Sequence, residues 1–380
     1  MKKLFILLSI IFLIGITPVN SLAISARSAV VLDAASGRVL FEHNARTKRG
    51  MASTTKIMTA LCAIEHGDLK KTVTISNTAS GVEGSSMYLA AGEKLKLSDL
   101  VYGLMLVSGN DAATAIAENV SGSTEKFAEL MNKKAMEIGA FDTSFTNPHG
   151  LSDDNHYTTA YDLAKITAYA MKNPMFCEVV STKSKKLPQN EGGYPRLLVN
   201  HNKFLNMYEG CIGVKTGFTK ATGRCLVTSV EKNGLRLVCV TLNDPDDWSD
   251  HKTMYDNAYS AFSSYKLKNS GDIITTASVS RGEMPTVELI CQKDVYIPIT
   301  SGEETQIEID AQPFEELTAP IKAGDILGTL TVTIAGTSCG EFPLAAKSDI
   351  PEKKTVFNTS KPGALNNFSK FLWAWITSFN

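Results

Sequence analysis

Ala52-Ser53-Thr54-Thr55-Lys56-Ile57-Met58-Thr59 is the stretch on which the reading of this chain turns. It opens a segment, Ala52 to His66, in which Ile57, Met58, Leu61 and Ile64 recur at helical spacing. Lys56 follows Ser53 by three residues, so a helix sets hydroxyl and amine on one face, a turn apart. A serine hydroxyl attacks poorly until something takes its proton. A lysine can take it only when neutral, so its pKa must fall from about 10.4. Burial and a neighbouring cation both push it down. Alone, the same spacing also describes an ordinary helix with a surface lysine.

Two later triplets change the balance. Ser108-Gly109-Asn110 adds a hydroxyl and an amide. Ser108 is expected between two lysines, relaying a proton to a leaving amine, and Asn110 is expected to hold a substrate amide and orient Lys56. The triplet also fits a capping loop ahead of a helix over 110–120. Lys215-Thr216-Gly217 lies on a strand pattern, Ile212 to Phe218. Lys215 is the candidate cation beside Lys56, and with Thr216 it would bind a terminal carboxylate. Gly217 would let a substrate backbone approach the strand edge, so that a peptide adds as a further strand. The backbone N–H groups of Ser53 and Phe218 would form an oxyanion hole. In this order the motifs describe acyl transfer by a serine without a catalytic histidine.

Around the motifs, strand patterns at 28–42, 211–218, 223–231 and 235–242 enclose helical patterns near 97–107, 110–120, 123–138 and 158–172, and a helix is expected over 249–265. This predicts an α+β domain over 24–268, a five-stranded antiparallel sheet packed with helices. From 272 to 346 polar and apolar residues alternate, as in Thr329-Leu330-Thr331-Val332-Thr333-Ile334, which predicts a small all-β domain. A linker follows over 347–362.

The two ends read differently. Lys2 and Lys3 precede an apolar run from Leu4 to Ile16, and Ser21-Leu22-Ala23 suits a signal peptidase, so 1–23 is expected to be a signal peptide and the protein to be exported. Over 363–380, Leu365, Phe368, Phe371, Leu372, Trp375, Ile376 and Phe379 share one helical stripe. The run is too short to span a bilayer and suits an amphipathic helix lying on the membrane surface. A terminal helix docked on the protein itself is the alternative.

Other chemistries find no support. A net charge of −1 offers no field for nucleic acid. No zinc spacing, phosphate loop or dinucleotide fingerprint occurs, so neither metal nor cofactor is expected. His149 and His156 read as loop packing. The seven cysteines are scattered without a C-x-x-C pair and read as small core residues. If Asn233-Gly234 is a hairpin turn, Lys232 faces Leu235 and Cys239 faces Thr228, which keeps Cys225 from Cys239.

The segment around Ser53, with Ser108-Gly109-Asn110-Asp111-Ala112 and Gly213-Val214-Lys215-Thr216-Gly217-Phe218-Thr219, resembles the D-alanyl-D-alanine carboxypeptidases, low-molecular-mass penicillin-binding proteins. Asn147-Pro148-His149-Gly150-Leu151 and His156-Tyr157-Thr158-Thr159-Ala160 match a further family segment. The resemblance implies a β-lactamase/transpeptidase-like fold, with the β-rich domain and the C-terminal amphipathic segment. It implies trimming of the terminal D-alanine from peptidoglycan stem peptides through an acyl-enzyme on Ser53, and acylation of that serine by β-lactam inhibitors. A non-catalytic wall-binding scaffold and a β-lactamase are the alternatives. The latter needs a glutamate that activates the deacylating water, and this chain has no E-x-x-x-N between Asn110 and Lys215. One departure stands out: many relatives carry a carboxylate-binding arginine after the strand ending near Asn243, where this chain has Trp248, with Lys252 or His251 as substitutes.

Overall fold

The computed structural model describes residues 22–187 and 195–354. The signal-peptide expectation over 1–23 (save its last two positions), the second half of the 347–362 linker and the amphipathic segment over 363–380 lie outside those residues.

Among the described residues the strands and helices begin with β1 Ser28–Asp33, β2 Val39–His43, α1 Lys56–His66, β3 Thr72–Thr74, α2 Asn77–Ser80, β4 Lys94–Lys96, α3 Leu97–Leu106, α4 Asn110–Ser121 and α5 Thr124–Ile138. They continue through α6 Ala160–Ala170, α7 Pro174–Ser181, β5 Ser184–Lys186, β6 Leu197–Val199, α8 Phe204–Met207, β7 Cys211–Thr219, β8 Gly223–Lys232, β9 Leu235–Leu242 and α9 Asp247–Ala261. Side chains start several helices by accepting otherwise unpaired amides. Ser123 accepts from Lys126 N ahead of α5, and Thr159 from Asp162 N ahead of α6. Asn173 caps α7, whose first residue is Pro174.

The expected five-stranded sheet is present, in the order β2-β1-β9-β8-β7 with every neighbouring pair antiparallel. Alternate residues on a strand face opposite ways. Val30, Leu32, Val227, Val238 and Val240 therefore join α1, α3, α4 and α6 in the larger core. Ala29, Val31, Leu237 and Cys239 turn the other way, onto Met254, Tyr255 and Ala258 of α9. Helices cover both faces, and β7 is left as one edge.

The β8–β9 turn has the expected register, Lys232 opposite Leu235 and Thr228 opposite Cys239. Its Asn233 and Gly234 both take positive φ, 53° and 77°, as a two-residue hairpin turn of this hand requires. All seven cysteines are free thiols and five are buried. Two expectations shift. The first turn of the 52–66 helix is a tighter 3-10 turn, Ala52–Thr55. The helix expected over 249–265 ends at Ala261, because Tyr265 and Leu267 alternate with Ser264 and Lys266, and that is the period of strand β10, Ser263–Lys268.

The described chain divides into two compact units. One takes 22–265 with 296–307 and 334–340, and the other takes 266–295, 308–333 and 341–354. After β10 the strands are β11 Ile273–Ser280, β12 Thr286–Cys291, β13 Val295–Ile299, β14 Ile307–Pro313, β15 Leu317–Thr318, β16 Ile326–Ile334 and β17 Thr337–Ala346. Six of them form a sheet in the order β14-β16-β17-β12-β11-β15. Val287 and Leu289 on β12 and Leu330 and Val332 on β16 are buried and alternate with more exposed neighbours. Within this unit the chain beyond β17 stays attached, with Ile350 buried and bridged to Ile321.

Candidate active site

Ser53 sits on the 3-10 turn that leads into α1, and two local devices fix that turn. Ala52 has φ +47°, a left-handed conformation that non-glycine residues adopt only when their surroundings impose it. The hydroxyls of Thr54 and Thr55 donate back to Met51 O and Ala52 O at 2.6 and 2.8 Å. Thr146 N donates to His156 Nδ1 at 3.1 Å, so the other ring nitrogen carries the proton and donates to Thr55 Oγ1 at 2.7 Å. Gly150 has φ +90°, and a Cβ there would lie 2.0 Å from Ala52 O, so the loop passes this close only as glycine.

Lys56 follows one turn later and is fully buried. Its Nζ lies 2.9 Å from Ser53 Oγ and 2.7 Å from Asn110 Oδ1, and it also donates to His149 O. Asn110 is held in turn by Glu83 O, which accepts from its Nδ2 at 2.6 Å, and by Ser85 O, which accepts from its backbone N–H at 2.7 Å. Ser108-Gly109-Asn110 also forms the loop expected ahead of a helix, since α4 begins at Asn110. The cap of α4 is Gly109 with no side-chain bond, and the Asn110 amide goes to Lys56 and Glu83. Ser108 is 5% exposed with φ +61°, at the lip of the cleft. Asp111 carries the local architecture: its carboxylate accepts from Ser86 Oγ at 2.6 Å, Met87 N at 3.1 Å and Leu89 N at 3.0 Å, fastening the 85–89 loop.

β7 closes the other side. Lys215 is buried, and its Nζ donates to Thr216 O at 2.9 Å. A Cβ on Gly217 would come within 3.1 Å of both Ser53 N and Thr54 N. This differs from the reason read in the sequence: the glycine first of all lets the strand lie against the nucleophile's own turn. A cleft of about 390 Å³ runs along the edge and brings Ser53, Ser108, Thr216, Gly217 and Phe218 together with Ser85, His201, Lys203, Arg224, Asp247 and Trp248.

Residues 16–246 match the family model described as D-alanyl-D-alanine carboxypeptidase, and residues 262–352 match that of the penicillin-binding protein 5 C-terminal domain. D-alanyl-D-alanine carboxypeptidase DacF of Bacillus subtilis is 33% identical over 361 residues, which cover 93% of this chain and 92% of that protein. The chain belongs to the D-alanyl-D-alanine carboxypeptidase family. DacA of Haemophilus influenzae, a second such carboxypeptidase, is 30% identical and covers 89% of this chain and 88% of its own. Among solved structures, penicillin binding protein 5 from Haemophilus influenzae superposes with a TM-score of 0.69 at 29% identity, covering 87% of this chain and 98% of its own.

The electrostatics suit a serine carboxypeptidase. Burial holds the Lys56 pKa well below the usual lysine range, and the Lys215 ammonium lowers it further, against an opposing pull from Asp111. Burial brings Lys215 itself down to about 7. Two ammoniums confined together favour release of one proton. His149 and His156 are both lowered to about 4, chiefly by burial, so near neutrality they are uncharged packing groups.

The carboxypeptidase's departure near Trp248 resolves differently from either substitute. His251 is fully buried, its Nδ1 2.7 Å from Thr228 Oγ1 and its Nε2 3.1 Å from Thr241 Oγ1, so it cannot reach substrate. Lys252 pairs with Asp256 at 2.6 Å and does not line the cleft. Trp248 does line it, with Arg224. Arg224 stands opposite Phe218 on β8, and Asp247 at the start of α9 accepts from its Nε and Nη2, both at 3.1 Å. Reading the sequence by motif missed Arg224, because its only signal is the β7–β8 register.

Proposed function

We propose that this carboxypeptidase removes the terminal D-alanine from peptidoglycan stem peptides, with Ser53 as nucleophile and neutral Lys56 as its base. The carrying observation is the buried Lys56 amine 2.9 Å from Ser53 Oγ, beside a second buried ammonium. Lys56 takes the hydroxyl proton as Oγ attacks the carbonyl, whose oxygen enters between the N–H groups of Ser53 and Phe218. Ser108 passes a proton to the departing D-alanine amine, leaving an ester on Ser53 that water then hydrolyses. Asn110 holds Lys56 and the substrate amide. Thr216 and Phe218 share the sheet face onto which Arg224 projects, so Thr216 and Arg224 supply the carboxylate site, with Lys215 on the other face beside Lys56. The free edge of β7 accepts the peptide as a sixth strand.

β-Lactams acylate the same serine. Asp247 is the acidic side chain lining this cleft, and it is committed to Arg224, so the penicilloyl ester is expected to deacylate slowly. The sequence patterns at 1–23 and 363–380 support export and attachment to the outer face of the membrane. No helix among the described residues is long and apolar enough to cross a bilayer. The test is D-alanine release from diacetyl-Lys-D-Ala-D-Ala, with Ser53→Ala beside it and penicillin labelling followed by mass spectrometry. Release and labelling that both vanish in the variant support the assignment; release that persists refutes it.

A further inference from the structure

The segment that leads into β1 is seated on two buried carboxylates, far from the nucleophile in sequence. Asp250 Oδ2, on α9, accepts from Ser25 N at 2.6 Å, from Ser25 Oγ at 3.0 Å and from Ala26 N at 3.1 Å. Asp244 Oδ1, on the loop between β9 and α9, lies 2.8 Å from the same Ser25 Oγ, whose single hydrogen serves one carboxylate at a time. Asp244 Oδ2 is buried with no hydrogen-bond partner. Neither carboxylate forms an ion pair among the described residues. Burial, with the charge of Asp250 adding to it, raises the Asp244 carboxyl above the usual carboxylate range. Buried carboxylates held together need a cation between them or a proton that they share.

The sequence supplies a cation at this place. Ser21-Leu22-Ala23 suits a signal peptidase, which would cut after Ala23. Water then splits the Ala23–Ile24 peptide bond, leaving a carboxylate on Ala23 and an amine on Ile24 that takes up a proton near neutrality. Before the cut that nitrogen is an uncharged amide. Neighbouring residues are no more than about 3.6 Å apart along the chain, so the new ammonium starts within about 6 Å of Asp250 Oδ2. Ile24 also packs against the core of Met254 and Tyr255, which anchors the new terminus beside α9.

We propose that Asp244 and Asp250 form the seat of the mature chain's own N-terminal ammonium, on Ile24, so that removing the leader completes an ion pair that the precursor lacks. The inference rests on the export reading and not on the D-alanine chemistry. Its consequence reaches the cleft: Asp244 N donates to Arg224 O at 2.9 Å, and three residues further on Asp247 holds the Arg224 side chain.

The test sequences the secreted protein from its N-terminus and titrates its α-amine, reading trace acetylation against pH by mass spectrometry of the N-terminal peptide. Ile24 is expected as the first residue. Its amine is expected to titrate about one unit or more above that of the same chain unfolded in urea, and to fall back in Asp244→Asn and Asp250→Asn, which keep an acceptor oxygen for Ser25 and Ala26. An amine raised by folding contributes stability in full below its unfolded value near 8 and loses it as pH climbs through the folded value. The urea midpoint of the mature chain should therefore fall over that range more than that of a form beginning at Ser21, a comparison that stands even where an Asn variant does not fold. A different first residue, an amine that titrates as in the unfolded chain, a raised value unmoved by both Asn variants, or matching midpoint profiles for the two forms each overturns the proposal. The second of these would leave the carboxylates sharing a proton.

Discussion

The two units of this chain bury different things. In the β-rich unit the fully buried side chains are apolar, among them Val287, Leu289, Leu330, Val332 and Leu344. The peptidase unit buries Lys56, Lys215, Asp111, Asn110, His156 and His251 as well. Apolar burial contributes stability in proportion to area, whereas a buried charge costs free energy unless it is paired or neutralised. Where a fold carries that cost, the side chain involved has a task, and here the tolerated cost marks the site: the lysine hydrogen-bonded to Ser53 and the lysine that helps depress it.

The widest separation between the units comes from replacing the base. Lys56→Ala is expected to lower kcat/KM for D-alanine release by about 10³- to 10⁴-fold, read by D-alanine release against time. A change in the other unit is expected to do the converse. Leu289→Ala removes a fully buried side chain and costs about 2–5 kcal/mol in denaturant unfolding of its unit, with kcat/KM for release within about twofold of the native value. Comparable losses in the two variants would erase the contrast.

Acid titration is next in size and again falls on one unit. The folded-state pKa values of His149 and His156, at about 4, lie below the ordinary value of 6.5. Between those values the unfolded chain binds protons that these two folded-state imidazoles refuse, so their contribution to stability falls as pH drops from 6.5 to 4 and levels off below. Each unit of depression corresponds to roughly 1.4 kcal/mol. His156→Gln should flatten that fall, measured as urea midpoint against pH; an unchanged slope would place the acid sensitivity elsewhere. The smallest expected effect sharpens the electrostatic argument. Lys215→Met removes the cation that depresses Lys56, so the acid limb of kcat/KM moves to higher pH. A limb that stays put would leave burial as the sole cause.

How much of this was legible in the sequence depended on periodicity and on short motifs. The strands at 28–33, 223–232 and 235–242 were readable because each is a run of apolar or alternating residues bounded by turn chemistry. Ser53 and Lys56 were readable because three residues of helix fix their relation. The short strands over 72–74, 94–96, 184–186 and 197–199 were not, since three residues carry no period. Helix α7 escaped despite its Asn173-Pro174 start signal. Arg224 escaped because its meaning lies in strand pairing and in Asp247, 23 residues away.

The bare backbone of Gly217 sets a tolerance. A side chain there meets Ser53 N, one of the two oxyanion donors, and Thr54 N at 3.1 Å, so it crowds the nucleophile's turn and the catalytic cleft together. An inhibitor that mimics the D-Ala-D-Ala bond and the peptide itself therefore look onto the same uncrowded wall. Crowding that wall to turn away the drug would first displace the serine, so at this position escape from a β-lactam and retention of activity pull against each other.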